Sequence, residues 1–271
     1  MKSSPFERVP SRTSWAWLAG GLSFACATLL VLVRAPGGDV TRIWAGADLL
    51  TSAAVATVIL RVAHQSHAMA PRSSWRWALM GAAAVCAVLG AAAWLYNDLV
   101  AAVPSAPDLA DVLYFLQGPL IATALITTGV SYRNMVSLRR PAIIAVAVAA
   151  VSGAFLWLAV LEPLFTTPGA MSSAAFAALL YPLADVVFGV GPAVFVLAVD
   201  RRLSKGPHRW PWMSVSLGIL LLTGCDLVYA VMTANGVMGA GSIVGAGWIT
   251  ARVLVGFGAL LASDLIRAAR A

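Results

Sequence analysis

Eight apolar stretches divide this chain, and its positive charges gather at alternate junctions between them. A hydrocarbon layer about 30 Å thick takes about 20 apolar residues to cross as a helix, the form that pairs every backbone group within the segment. The stretches predict helices over Trp15–Val33, Ile43–Val62, Trp77–Leu99, Leu109–Val130, Ala142–Leu161, Ser173–Val199, Trp212–Thr233 and Ile243–Leu265. Hydrophobic residues are 61% of the 271 and charged residues 11%, against about 45–50% and about 25% in soluble domains. The expected fold is all-α: a polytopic bundle of eight transmembrane helices. It forms one integral membrane domain over 1–271, with a short tail over 1–14 and helices over 15–265. No segment is long and polar enough for a soluble domain of about 100 residues, which argues against an appended kinase, cyclase or DNA-binding domain. The first stretch is basic-flanked like a signal peptide, but it is long and lacks a small-x-small cleavage site, so it is read as a retained helix.

Charge placement orients the bundle. Lys2, Arg8 and Arg12 precede the first helix, and Arg61, Arg72 and Arg76 border the second connection. Arg133, Arg139 and Arg140 mark the fourth, Arg201, Arg202, Lys205 and Arg209 the sixth, and Arg267 and Arg270 the C-terminus. The other connections hold only Arg34 and Arg42. Because Lys and Arg are retained inside, both termini are expected in the cytoplasm of a bacterial inner membrane protein. The net charge of +7 then reflects anchors at helix ends, not a continuous basic face, and no nucleic-acid partner is expected. The opposite loops are short and rich in Pro, Gly and Ser, as turns between antiparallel helices require. Trp15, Trp17, Trp44, Trp75, Trp77, Trp210 and Trp212 fall near predicted helix ends, the pattern of an interfacial aromatic belt.

The carboxylates separate by depth. Asp98, Asp108, Asp111 and Glu162 fall at outer helix ends. Asp108 and Asp111 lie in the first turn of helix four, where the dipole favours negative charge and N-capping is the simple explanation. Asp48 lies about a turn and a half inside helix two, Asp185 near the middle of helix six, and Asp226 in the outer half of helix seven. A charge at such depth costs at least about 2.5–3.5 kcal/mol, so it should pair, face the bundle or take a proton. The basic residue deep in a span is Arg252, and the expected pair is Arg252 with Asp226 or Asp185. These eight residues form the candidate polar cluster, serving either a ligand or helix packing. Pro119, Pro182 and Pro192 should bend helices four and six, Pro182 just ahead of Asp185.

Several chemistries lack their residues. No span carries a lysine for a retinal Schiff base. His64, His67 and His208 fall in the cytoplasmic connections, away from any membrane haem site. Cys26, Cys86 and Cys225 are isolated in apolar runs without metal or disulfide spacing. No Ser/His/Asp grouping, HExxH or phosphate loop is present. No enzyme activity, cofactor or metal is expected.

Leu109-Ala-Asp-Val-Leu-Tyr114 echoes Leu183-Ala-Asp-Val-Val-Phe188, and each precedes a Gly-Pro pair. Looser versions stand at Gly46–Leu50 and Gly224–Tyr229; duplication and convergent helix grammar both account for them. The run Pro107–Tyr114, with Arg139-Arg140, Trp157 to Pro163, Tyr181 to Asp185 and Asp226 to Ala230 in that order, resembles the multi-helix membrane sensory region at the N-terminus of many bacterial GGDEF/EAL signalling proteins, particularly actinobacterial ones. The resemblance covers roughly Trp44 to Leu261. It departs from the pattern in two places: no cyclase or phosphodiesterase domain precedes the end at Ala271, and the usual acidic residue early in helix five is absent from Pro141–Ala149. The resemblance therefore implies a sensory or scaffold bundle without cyclic-di-GMP chemistry. The expected function is a stand-alone sensory and interaction module in the lipid bilayer, relaying a small-molecule or lipid signal to a protein partner. The alternatives are an accessory subunit of a larger membrane complex and a small-solute or proton-coupled transporter.

Overall fold

The computed structural model describes residues 10–34, 40–97, 99, 108–166, 180–203, 206–234 and 243–270. These form helices and no strand, and eight helices are long and apolar enough to cross a membrane. They are α1 (Arg12–Arg34), α2 (Val40–Met69), α3 (Pro71–Tyr96), α4 (Leu109–Ser131), α5 (Arg139–Leu161), α6 (Leu180–Asp200), α7 (Trp210–Ala234) and α8 (Ile243–Arg270). The chain is a multi-pass membrane protein with an all-α fold.

Six helices close a ring in which each packs on the next: α2, α3, α4, α6, α7 and α8, with α8 returning to α2. The ring shares one core, to which Ile59, Met80, Leu125, Val196, Val215 and Ala259 each contribute from a different helix. α1 lies outside, against α8 and α2, and α5 lies outside against α6. Burial follows this plan: 61% of the α8 span is covered by protein, against 17% of α1 and of α5. The outward residues of α5, such as Ile144, Val151 and Leu158, are exposed and apolar, as a lipid-facing surface requires.

The seam between α7 and α8 is set by small residues, which let backbones approach closely. A Cβ added to Gly258 would meet the Pro211 carbonyl oxygen at 2.5 Å, and one added to Gly218 would meet that of Ala251 at 2.7 Å. Further along, Gly247 lies against the Cys225 side chain.

Two helices carry wide turns. In α5 the stretch Trp157–Leu161 is π-helical, and the Glu162 N–H bonds back to the Trp157 carbonyl before the short helix Glu162–Thr166. In α6 the stretch Asp185–Val190 is π-helical, with the Gly191 N–H bonded to the Val186 carbonyl. A proline ring clashes with the carbonyl four residues earlier, and each wide turn comes just ahead of one, Pro163 or Pro192. The turn of chain ahead of Pro182, where the expected bend would fall, lies outside the described residues.

Boundaries differ from expectation mainly at the basic end. α2 continues past Val62 to Met69, so His64 and His67 lie on a helical extension, not in a loop; His67 Nδ1 is 3.3 Å from Ser74 Oγ. The tryptophans also divide. Trp15, Trp75 and Trp210 are exposed like a belt. Trp77 and Trp212 stack inside the ring at 4.5 Å, and the Trp17 indole donates to the Val253 carbonyl.

Candidate functional site

α2 and α8 both begin at the carboxylate-rich end. Asp48 comes about 12 Å into α2 and Arg252 about 13 Å into α8, at 1.5 Å per residue. Equal depth lets them meet, and they form an ion pair in which Asp48 is 1% exposed. The partner of Arg252 is thus Asp48, not Asp226 or Asp185. One turn outward, at i−4 on each helix, Trp44 meets Trp248 with ring centroids 5.2 Å apart. The two helices face each other rung by rung, an aromatic rung above an ionic one.

Asp226 is engaged by the next residue up that ladder. The Trp248 Nε1–H donates to Asp226 Oδ1 at 2.6 Å, and the Asp185 carboxyl group lies close to that of Asp226. Trp94 meets Trp44 edge-on at 5.0 Å, and Tyr229 meets Trp248 at 5.5 Å. Buried polar atoms of this cluster without a hydrogen-bond partner include the Trp44 indole nitrogen, Asp48 Oδ2 and Asp185 Oδ2.

A second network caps α4. Asp108 accepts from the Asp111 N–H at 3.1 Å, Asp111 accepts from the Asp108 N–H at 2.9 Å, and Asn97 Nδ2 donates to Asp108 at 2.5 Å. The Tyr181 hydroxyl donates to Asp111, which ties the start of α6 to the start of α4. The Tyr114 phenol lies within electrostatic range of both Asp226 and Asp108 and joins the two networks. Asp108 and Asp111 therefore serve as a capping box. Glu162 is exposed at the end of α5, with no place in either network. Asp98 lies outside the described residues. The echoed segments play different parts, since Asp111 caps a helix and Asp185 opens a π turn.

No family model, curated protein or solved structure matches this chain. The site rests on its geometry alone. Among the described residues no group of three or more His, Cys, Asp or Glu side chains converges as a metal set would.

Trp94, Trp248, Tyr181 and Tyr229 were not foreseen from the sequence. A signal for Trp248 was present: Trp44 precedes Asp48 by four residues, and Trp248 precedes Arg252 by the same spacing. Two carboxylates at the basic end were also missed. Asp264 accepts from the Ser14 hydroxyl at 2.6 Å and the Ser11 N–H at 2.9 Å, and pairs with Arg267. This clasp holds the start of α1 to α8. Asp200 is buried beside Arg209 and Tyr132. Burial raises the Tyr132 phenol above its ordinary pKa, Asp200 adds to the rise, and Arg76 opposes it.

Proposed function

We propose that this chain is a membrane-embedded sensory module without enzymatic activity, whose carboxylate-rich end receives a small-molecule or lipid signal and whose basic end passes it to a protein partner. The positive-inside rule supports a bacterial inner membrane with both termini and the basic connections in the cytoplasm. The single observation that carries the reading is the outer cluster itself. A buried ion pair, a carboxyl pair and four aromatic rings converge there, and an indole N–H and carboxylate oxygens remain unmatched. Buried polar atoms are nearly always paired, so the unmatched ones in this cluster favour a ligand that completes them. Wide helical turns are frequent at functional sites, and one begins at Asp185. The resemblance to the membrane region of GGDEF/EAL proteins supports the same reading.

Native mass spectrometry of the protein released gently from its own membranes tests the relay. A stoichiometric protein partner is expected, and the chain released alone overturns it. Asp185→Asn should keep that partner while changing its output; an unchanged output marks an accessory subunit instead. The closeness of the Asp185 and Asp226 carboxyl groups favours a second reading, proton-coupled transport. That reading requires solute flux in proteoliposomes that Asp185→Asn abolishes.

A further inference from the structure

Below the ionic rung the ring holds a partly open cavity of about 40 Å³, bordered by α2, α3, α4, α7 and α8. Most of its wall is apolar, including Met80, Ala87 and Ile219, but three polar side chains reach it: Ser52, Gln117 and Arg252. Ser52 is the next rung of the α2 ladder, four residues beyond Asp48. It is 2% exposed, and its hydroxyl has no protein partner. A guanidinium has five N–H donors in a fixed fork, more than one carboxylate can accept.

We infer that this cavity is a hydration site, holding a small cluster of ordered water that bridges Arg252, Ser52 and Gln117. The size fits: a water needs at least about 10–15 Å³ of such space, so the volume holds about three. The chemistry fits as well. Each water needs two to four polar partners, and the wall supplies a strong cationic donor with a hydroxyl and an amide that both donate and accept. The surrounding apolar wall confines the water to that polar corner. A charged small molecule fits less well, because Asp48 already neutralises Arg252 and any added charge would stand unpaired in a membrane interior. The water solvates Arg252 on the side away from Asp48. It also joins α4, through Gln117, to a pair formed by α2 and α8, so that a shift of the ion pair moves three helices together.

Met80 makes this testable. It lines the cavity and is 2% exposed, whereas Met69 and Met135 are exposed. Synchrotron X-ray pulses split water where it is bound, and the hydroxyl radicals oxidise an adjacent methionine sulfur. In wild-type protein in nanodiscs, Met80 should gain oxygen despite its burial. After rapid mixing with H₂¹⁸O, its label should turn to ¹⁸O later than that of Met69 and Met135. Ala87→Leu fills the cavity and should abolish Met80 oxidation while leaving Met69 and Met135 unchanged. Should that variant not fold, Ser52→Ala, which removes one anchor and adds no bulk, should lower Met80 oxidation and shorten the ¹⁸O delay. Met80 staying unoxidised in the wild type overturns the inference, as does ¹⁸O uptake at Met80 as fast as at the exposed methionines. The test needs neither a partner nor an input signal, so its failure leaves the sensory reading standing, and the reverse also holds.

Discussion

Arg252 carries a large energetic stake, because it pairs with the buried Asp48 carboxylate. Breaking a buried ion pair by removing one partner costs about 3–5 kcal/mol, because the remaining charge is stranded. Arg252→Ala and Asp48→Leu should each lower the thermal unfolding midpoint sharply in detergent. The double variant Asp48→Leu with Arg252→Leu should recover most of that loss, since an apolar pair of similar volume is often neutral or better. A double variant that folds well but no longer signals would place the pair's value in function. Trp248→Phe keeps much of the ring contact and removes the donor to Asp226. It should cost about 1–3 kcal/mol, the penalty for an unsatisfied buried group, whereas Trp15→Phe at an exposed position should change little. The depth of Arg252 was legible in the sequence, because residue counts from a helix end measure depth. Its partner was not: with helix two expected to begin at Ile43, Asp48 counted as shallower than Arg252, whereas α2 begins at Val40 and brings it level, and the rotation of each helix then decides which carboxylate Arg252 faces. In spans apolar on every side, hydrophobic pattern does not fix that rotation.

At the scale of elements, the eight helices follow from apolar length, while α2 and α3 run further at the basic end than expected and the expected start of helix six at Ser173 lies outside the described residues. Their packing depends on features with a weaker signature. The α7–α8 seam works through Gly218, Gly247 and Gly258, yet glycines elsewhere look the same in sequence; a Cβ on Gly224 meets nothing within 4 Å. Gly258→Val should therefore force the seam apart, at a cost of about 1–3 kcal/mol or more for overpacking. Gly224→Ala should hold stability or raise it by up to about 1 kcal/mol through helix propensity. Thermal unfolding of the two variants side by side separates close approach from mere glycine content. The wide turn in α6 was legible only as a bend, and that in α5 was not foreseen: proline marks where a regular ladder must fail, but not whether it fails by kinking or by widening.

For the whole molecule, the ring of six helices with α1 and α5 outside was not legible, because neighbour relations among equally apolar helices leave no mark on composition. The orientation proposed from the placement of Lys and Arg yields a prediction. In a cysteine-free background, Arg201→Cys should react with an impermeant maleimide only from the cytoplasmic side, and Thr166→Cys only from the opposite side. Labelling of both from one side would refute the topology. The clasp between Ser14 and Asp264 joins positions 250 residues apart, and the Asp48–Arg252 pair spans nearly as much chain. Both partners of these early helices reside on α8, which leaves the ribosome after all seven others. During synthesis, then, α1 lacks its main protein neighbour and the Asp48 carboxylate lacks its counter-charge until the final span arrives. Nascent chains arrested before α8 would present an unneutralised acidic group in a transmembrane segment.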